Sequence, residues 1–268
     1  MVVVIGGYCY HMEEQIREDS KSSSFFKTSL TGRGLQIACS LADRQVPVEF
    51  LCPISSDGFG LRLLDMLIDK DVLFEPHLCN SPLPSPISIS LQSTAVPYHV
   101  IGGTAPTSLT ARQLLDAFAV NSDIKVVYIE GSLLTFPDEM DAIVKAIGQQ
   151  DPKPIIYLDT CVAKDSLLKS EKVETLAGIA DIIQVDDAID ESILPLPQMT
   201  VRLSPYRITF ATSSGIREEV VNPSAVDSLE QTVNIISGLY KHDAFGLDGE
   251  EPHLQLSEKL CSNVLSSI

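Results

Sequence analysis

The run Leu30-Thr31-Gly32-Arg33-Gly34-Leu35-Gln36-Ile37-Ala38-Cys39-Ser40-Leu41-Ala42 decides how the rest of the chain is read. Two glycines precede a segment that places Leu35, Ala38, Cys39 and Ala42 on one side at helical spacing. Glycines in that position let backbone amides at a helix N-terminus approach a ligand closely, or simply shape the turn into the helix. Apolar Val48-Glu49-Phe50-Leu51 follows as a strand, and Ser56-Asp57-Gly58-Phe59-Gly60 then opens a second helix over Leu61–Ile68. Upstream, Val2–Ile5 is a continuous apolar run suited to a buried parallel strand, and it leads into the turn Gly6-Gly7-Tyr8-Cys9-Tyr10-His11.

The same rhythm continues downstream. Strands are predicted at Lys125–Ile129, Pro154–Leu158, Ile182–Val185 and Met199–Leu203, with helices at about Leu109–Phe118, Asp138–Ile147 and Ser166–Ala177. Strands spaced by helices predict an α/β fold with a mostly parallel sheet covered on both faces. One stretch departs from this. Ile87-Ser88-Ile89-Ser90-Leu91-Gln92 alternates apolar and polar residues, and Tyr98-His99-Val100-Ile101 follows after a short turn. A period of two implies a sheet with one face wet or covering something.

In order and spacing the chain resembles the ribokinase (PfkB) family of carbohydrate kinases. The glycine turn before the first helix, Val48–Leu51, and the Ser56-Asp57-Gly58-Phe59-Gly60 turn carry the resemblance. It implies one ribokinase-like domain over residues 1–268, with a small β-strand lid formed by segments at about 12–30 and 86–102. It also implies a sugar, polyol or nucleoside as ligand, ATP and Mg²⁺ as co-substrate and metal, and a homodimer through the lid.

The resemblance marks candidate residues, and the chain departs from the family at several of them. On the substrate side these are His11, Gly32, Arg33, Gln36 and Glu130. His11 stands where the family has an Asp that binds sugar hydroxyls, Gln36 where it has Asn, and Glu130 at the tip of a strand, the edge at which open α/β sheets bind ligands. On the nucleotide and metal side are Asp159, Asp186 and Asp187; Ile189 stands where the family has the Glu of its Asn-x-x-Glu motif. The family's Asp-Thr-x-Gly-Ala-Gly-Asp turn supplies amides for the phosphate and a base for the substrate hydroxyl. Its match here, Asp227-Ser228-Leu229-Glu230-Gln231-Thr232-Val233, keeps the first Asp, has Glu230 and Thr232 in place of glycines, and Val233 at the base position. Asp243 in Lys241-His242-Asp243 is a weaker candidate for a catalytic carboxylate, since a loop-like Gly246-Leu247-Asp248-Gly249 follows it.

General-base catalysis contributes about 10²–10⁴-fold, and removing an oxyanion-hole donor costs about 10²–10³-fold. The leading expectation is therefore a degenerate member that binds a small polar ligand without efficient phosphoryl transfer and without a confidently required cofactor. The alternatives are an active ATP-dependent sugar or nucleoside kinase, and a dimeric scaffold joined through the lid. Composition narrows the partners. The formal net charge of −17 leaves no electrostatic footprint for nucleic acid or an anionic membrane. The six cysteines are dispersed without a CxxC pair, as expected of reduced thiols in a cytoplasmic protein.

Overall fold

The computed structural model describes residues 1–16, 24–91, 98–100, 103–121, 123–132, 143–160, 176–186, 199–204, 207–212, 217–221 and 227–241. They build an eight-stranded sheet in the order β12-β11-β10-β9-β8-β7-β1-β4 and a separate four-stranded sheet in the order β3-β2-β5-β6. The large sheet contains β1 (Val2–Ile5), β4 (Val48–Leu51), β7 (Val126–Glu130), β8 (Ile155–Asp159), β9 (Ile182–Asp186) and β10 (Met199–Ser204), all parallel. β11 (Arg207–Thr212) and β12 (Arg217–Val221) extend it antiparallel at one edge.

Burial explains the apolar runs. β1 lies between β4 and β7, and all four of its residues are fully buried because both faces are covered. On one face Val2 and Val4 pack with Leu35, Ile37, Ala38 and Leu41 of α1 (Arg33–Asp43) and with Val233, Ile236 and Leu239 of α4 (Ser228–Lys241). On the other, Val3 and Ile5 pack with Leu114, Ala117 and Phe118 of α3 (Ala111–Val120) and with Ile143, Ala146 and Leu176. Alternate residues of each parallel strand thus enter two separate cores.

Helix starts are set by local chemistry. Asp57 caps α2 (Gly58–Asp69), accepting from the amides of Phe59 and Gly60. The same carboxylate accepts from the amide and hydroxyl of Ser85, which fixes the approach to the small sheet. Burial alone would push its carboxyl up, but these hydrogen bonds outweigh it and hold Asp57 below its ordinary value. Thr110 and Gln113 form a reciprocal capping box at the start of α3.

The small sheet consists of β2 (Cys9–Ile16), β3 (Ser24–Thr31), β5 (Ile87–Ser90) and β6 (Tyr98–Val100). The alternating Ile87–Ser90 run is indeed a strand. The expected turn through His11 is shorter than its sequence suggests: pairing on both sides, antiparallel to β3 and parallel to β5, draws Cys9 onward into a strand. Among the described cysteines Cys9, Cys39, Cys52 and Cys79 are free thiols, and burial pushes all four up, Cys9 and Cys79 to about 11. No helix among the described residues is long and apolar enough to cross a membrane.

Candidate functional site

The C-terminal ends of β7, β8 and β9 carry a row of polar side chains inside an otherwise apolar sheet. Strand register places Glu130 beside Asp159 and Asp159 beside Gln184. All three are buried, at 5%, 0% and 0% exposure. One layer further in, Tyr128 and Tyr157 are register partners whose rings stack at 6.0 Å. Buried polar groups are tolerated only when hydrogen-bonded, and these satisfy one another. Tyr128 donates its hydroxyl to Asp159 Oδ2 at 2.7 Å, Gln184 donates Nε2 to Asp159 Oδ1 at 3.1 Å, and Tyr157 donates to Gln184 Oε1 at 2.5 Å.

The row is closed from above by Arg33. Its side chain, 12% exposed, donates Nε to Asp159 Oδ2 at 2.5 Å. Its Nη atoms reach the hydroxyl and carbonyl of Ser228 at 3.2 and 3.4 Å and the hydroxyl of Thr232 at 3.1 Å. Thr232 Oγ1 also contacts Gln184 Oε1 at 2.7 Å. Ser228 and Thr232 are four residues apart and share one face of α4, so a single guanidinium fastens the first two turns of α4 to the tip of β8.

Glu130 has a different task. Its Oε2 accepts from the amides of Gly7 at 2.8 Å and Gly34 at 2.9 Å, and its Oε1 accepts from Ser132 Oγ at 2.7 Å. It therefore pins the end of β1 to the start of α1. Burial raises its carboxyl above the ordinary value, although all three hydrogen bonds pull the other way. The glycines belong to this contact. A Cβ on Gly34 would lie 2.8 Å from both Gly6 Cα and Glu130 Oε2, and Gly32, at φ 132°, would bring one to 2.5 Å from the Gly7 carbonyl. Glu130→Gln is expected to change stability by less than ~1 kcal/mol, because an amide oxygen can serve both backbone amides while its NH₂ faces the Ser132 hydroxyl. Glu130→Leu orphans the buried Gly34 amide and the half-buried Gly7 amide and is expected to cost about 2–4 kcal/mol. Chemical denaturation of the two variants checks this pair.

The remaining candidates are dispersed. His11 sits in β2 with Nδ1 3.2 Å from Ser88 Oγ, rather than in a turn. Tyr8 and Tyr10 act in packing: the Tyr8 hydroxyl accepts from the Ser55 amide and meets Ser85, while Tyr10 lies against Phe59 and accepts from Arg62. Burial pushes the Tyr8 phenol up to about 12. Gln36 is on the exposed side of α1. Asp186 ends β9, whereas Asp187 and Asp243 lie outside the described residues.

At the start of α4, Asp227 caps its own helix by accepting from the Glu230 amide at 2.8 Å. Glu230, at one of the family's glycine positions, is exposed and faces Arg44 at the α1 C-terminus at 3.8 Å. Val233 also points away from the polar row, into the apolar core at 1% exposure. Among the described residues no group of three or more His, Cys, Asp or Glu is placed to hold a metal ion. Asp159 is engaged on both oxygens, and the Glu230 amide is taken by Asp227.

Comparison with solved structures places the architecture. An uncharacterized sugar kinase from Pyrococcus horikoshii superimposes with a TM-score of 0.72 at 16% identity, covering 100% of this chain and 92% of that one. The chain has the ribokinase (PfkB) fold. Fructokinase from Xylella fastidiosa with bound ATP matches at TM-score 0.73 and 14% identity over 98% of this chain and 89% of that one. Aminoimidazole riboside kinase from Salmonella enterica, complexed with aminoimidazole riboside and an ATP analogue, matches at 0.70 and 12% over 98% and 90%. No protein-family model matches the sequence, and comparison with curated proteins finds no match. The likeness is one of fold, at sequence identities of 12–16%.

Sequence reasoning flagged Arg33 and Asp159 separately but missed their pairing and the part played by Gln184, Ser228, Thr232 and the two tyrosines. A signal was present. Gln184 interrupts an apolar strand, and a polar side chain in a doubly covered strand needs a partner.

Proposed function

We propose that this chain binds a small neutral polar ligand, a sugar, polyol or nucleoside, between the large and small sheets, and that phosphoryl transfer has been lost. The observation that carries this reading is the Arg33 strut. Phosphotransfer in such a cleft needs a base beside the substrate hydroxyl and backbone donors around the transferring group. Here the first turns of α4 offer Ser228 and Thr232 to a guanidinium, the residue at the base position faces the core, and the capping carboxylate holds the Glu230 amide. Ligand recognition survives such changes because it depends on the remaining polar surface near β2, β5 and α1.

A thermal-shift panel of neutral sugars, polyols and nucleosides, set against ATP with Mg²⁺, tests the reading, since a ligand of the native state raises the melting temperature by mass action. A neutral ligand that stabilises the protein, with no ADP released in a coupled assay, is the expected result. Stabilisation by ATP together with ADP release on adding the ligand would overturn it.

A further inference from the structure

A second cluster of titratable groups lies on the opposite face of the large sheet. Glu49 alternates with Val48 and Phe50 in β4, so its side chain enters the α3 side, where it is 3% exposed. Asn121, at the C-terminal cap of α3, donates Nδ2 to Glu49 Oε2 at 2.9 Å. Glu49 is also hydrogen-bonded to Glu75. Glu75 Oε2 in turn lies 3.3 Å from His77 Nδ1, and His77 Nε2 lies 3.3 Å from the carbonyl of Gln113 in α3. The contacts run from the end of α3, through β4 and residues 75–77, back to the first turn of α3. Between His77 and Gln113 the chain leaves the large sheet, forms β5 and β6 of the small sheet, and returns. Its two stems meet again where Ala105 donates its amide to the Pro84 carbonyl at 2.9 Å.

We propose that Glu49, Glu75 and His77 form a proton-held clasp that anchors both stems of the β5–β6 excursion and loosens when its shared proton is lost. Ionised carboxylates only accept hydrogen bonds, so a bond between Glu49 and Glu75 requires a proton on one of them. His77 bridges the Glu75 carboxylate and the Gln113 carbonyl through its two ring nitrogens. The surrounding elements bring few competing charges. Cys79 donates its thiol to the Glu75 carbonyl and stays protonated, its value pushed up to about 11 by burial and the Glu75 charge. α3 contributes the neutral Asn121 amide and the Gln113 carbonyl, while its Arg112 and Asp116 face each other at 3.7 Å on the exposed side. β1 contributes the apolar Val3.

Burial, then the charge and hydrogen bond of Glu75, push the Glu49 carboxyl up to about 7. A carboxyl raised in the folded state supports folding fully below the ordinary carboxylate range, and that support is lost as pH rises through the raised value. The clasp therefore weakens as pH rises from the ordinary carboxylate range to about 7 and changes no further above it.

Hydrogen–deuterium exchange on the full chain tests this, comparing about pH 6 with about pH 8 after correction for intrinsic exchange rates. In the wild type, peptides within 76–91 and 103–120 are expected to lose protection by up to about tenfold per pH unit on the way up to about 7 and to level off above it, while α4 peptides are unchanged. Glu49→Gln should abolish that pH dependence, and Glu75→Gln, which leaves Glu49 buried but removes its charged neighbour, should reduce it. If Glu49→Gln fails to fold, Glu75→Gln, whose site is less buried, carries the comparison. Wild-type protection that is flat across this range, or an equal fall in the glutamine variants, would overturn the clasp.

Discussion

Arg33→Ala is expected to destabilise the protein by about 3–5 kcal/mol, the range for breaking a buried ion pair by removing one partner. At about 2–4 °C per kcal/mol for a chain of this size, the melting temperature should fall by roughly 6–20 °C. The asymmetry of the pair sets the magnitude. Asp159 is fully buried and Arg33 nearly so, so the alanine variant leaves a buried carboxylate without its cation, although its hydrogen bonds from Tyr128 and Gln184 remain. It also removes the donors held by Ser228 and Thr232, which lets the start of α4 part from the tip of β8. Arg33→Lys should recover little, because one ammonium cannot reproduce a planar fork that meets Asp159, Ser228 and Thr232 together. Adding Asp159→Asn to Arg33→Ala should restore part of the loss, since the stranded charge is then gone and neighbours in one network are not additive. A shift under about 2 °C for Arg33→Ala would show the strut to be peripheral, and the reading of a closed phosphate end would fall with it.

The legibility of the fold follows from how locally each feature is encoded. Val2–Ile5, Val126–Glu130 and Ile155–Asp159 are apolar because both of their faces are covered, so composition alone announces parallel strands. Ile87–Ser90 shows its period of two for the opposite reason. β2 and β3 were harder to read. Cys9–Ile16 mixes Tyr10 and Met12 with Glu13 and Glu14, and its strand character comes from pairing with β3 and β5 rather than from its own pattern. The site was legible only as a list. Residues 33, 159, 184, 228 and 232 are distant in sequence, and their meeting depends on strand register and on which face α4 turns inward. Glu130 shows the same limit. A carboxylate at a strand tip reads as a ligand contact, yet here three donors from the protein itself occupy it.

Val233→Asp gives the sharpest test of the lost-transfer reading. The family resemblance puts a base at this position, so restoring a carboxylate is the direct repair to try. Successive residues on an α-helix are rotated by about 100°, and Thr232 already faces the polar row. Val233 consequently projects into the core with Ile236, Leu239, Val201 and Phe210. An aspartate there forfeits the burial of a valine, worth about 1.5–3 kcal/mol, and adds a carboxyl without hydrogen-bond partners. A total cost of about 3–6 kcal/mol is expected, with no ADP release in the coupled assay. The variant should carry a pH signature as well. Desolvation raises a buried carboxyl above its unfolded value, so the folded state binds the proton more tightly and stability falls as pH rises above the ordinary carboxylate range. The gap in melting temperature from the wild type should therefore widen between about pH 4 and about pH 8. ADP release above wild type, or a gap that does not change with pH, would mean that the side chain at 233 reaches the cleft after all. In that case the inward-facing side of α4 would have to be reassigned, and with it the proposed loss of phosphoryl transfer.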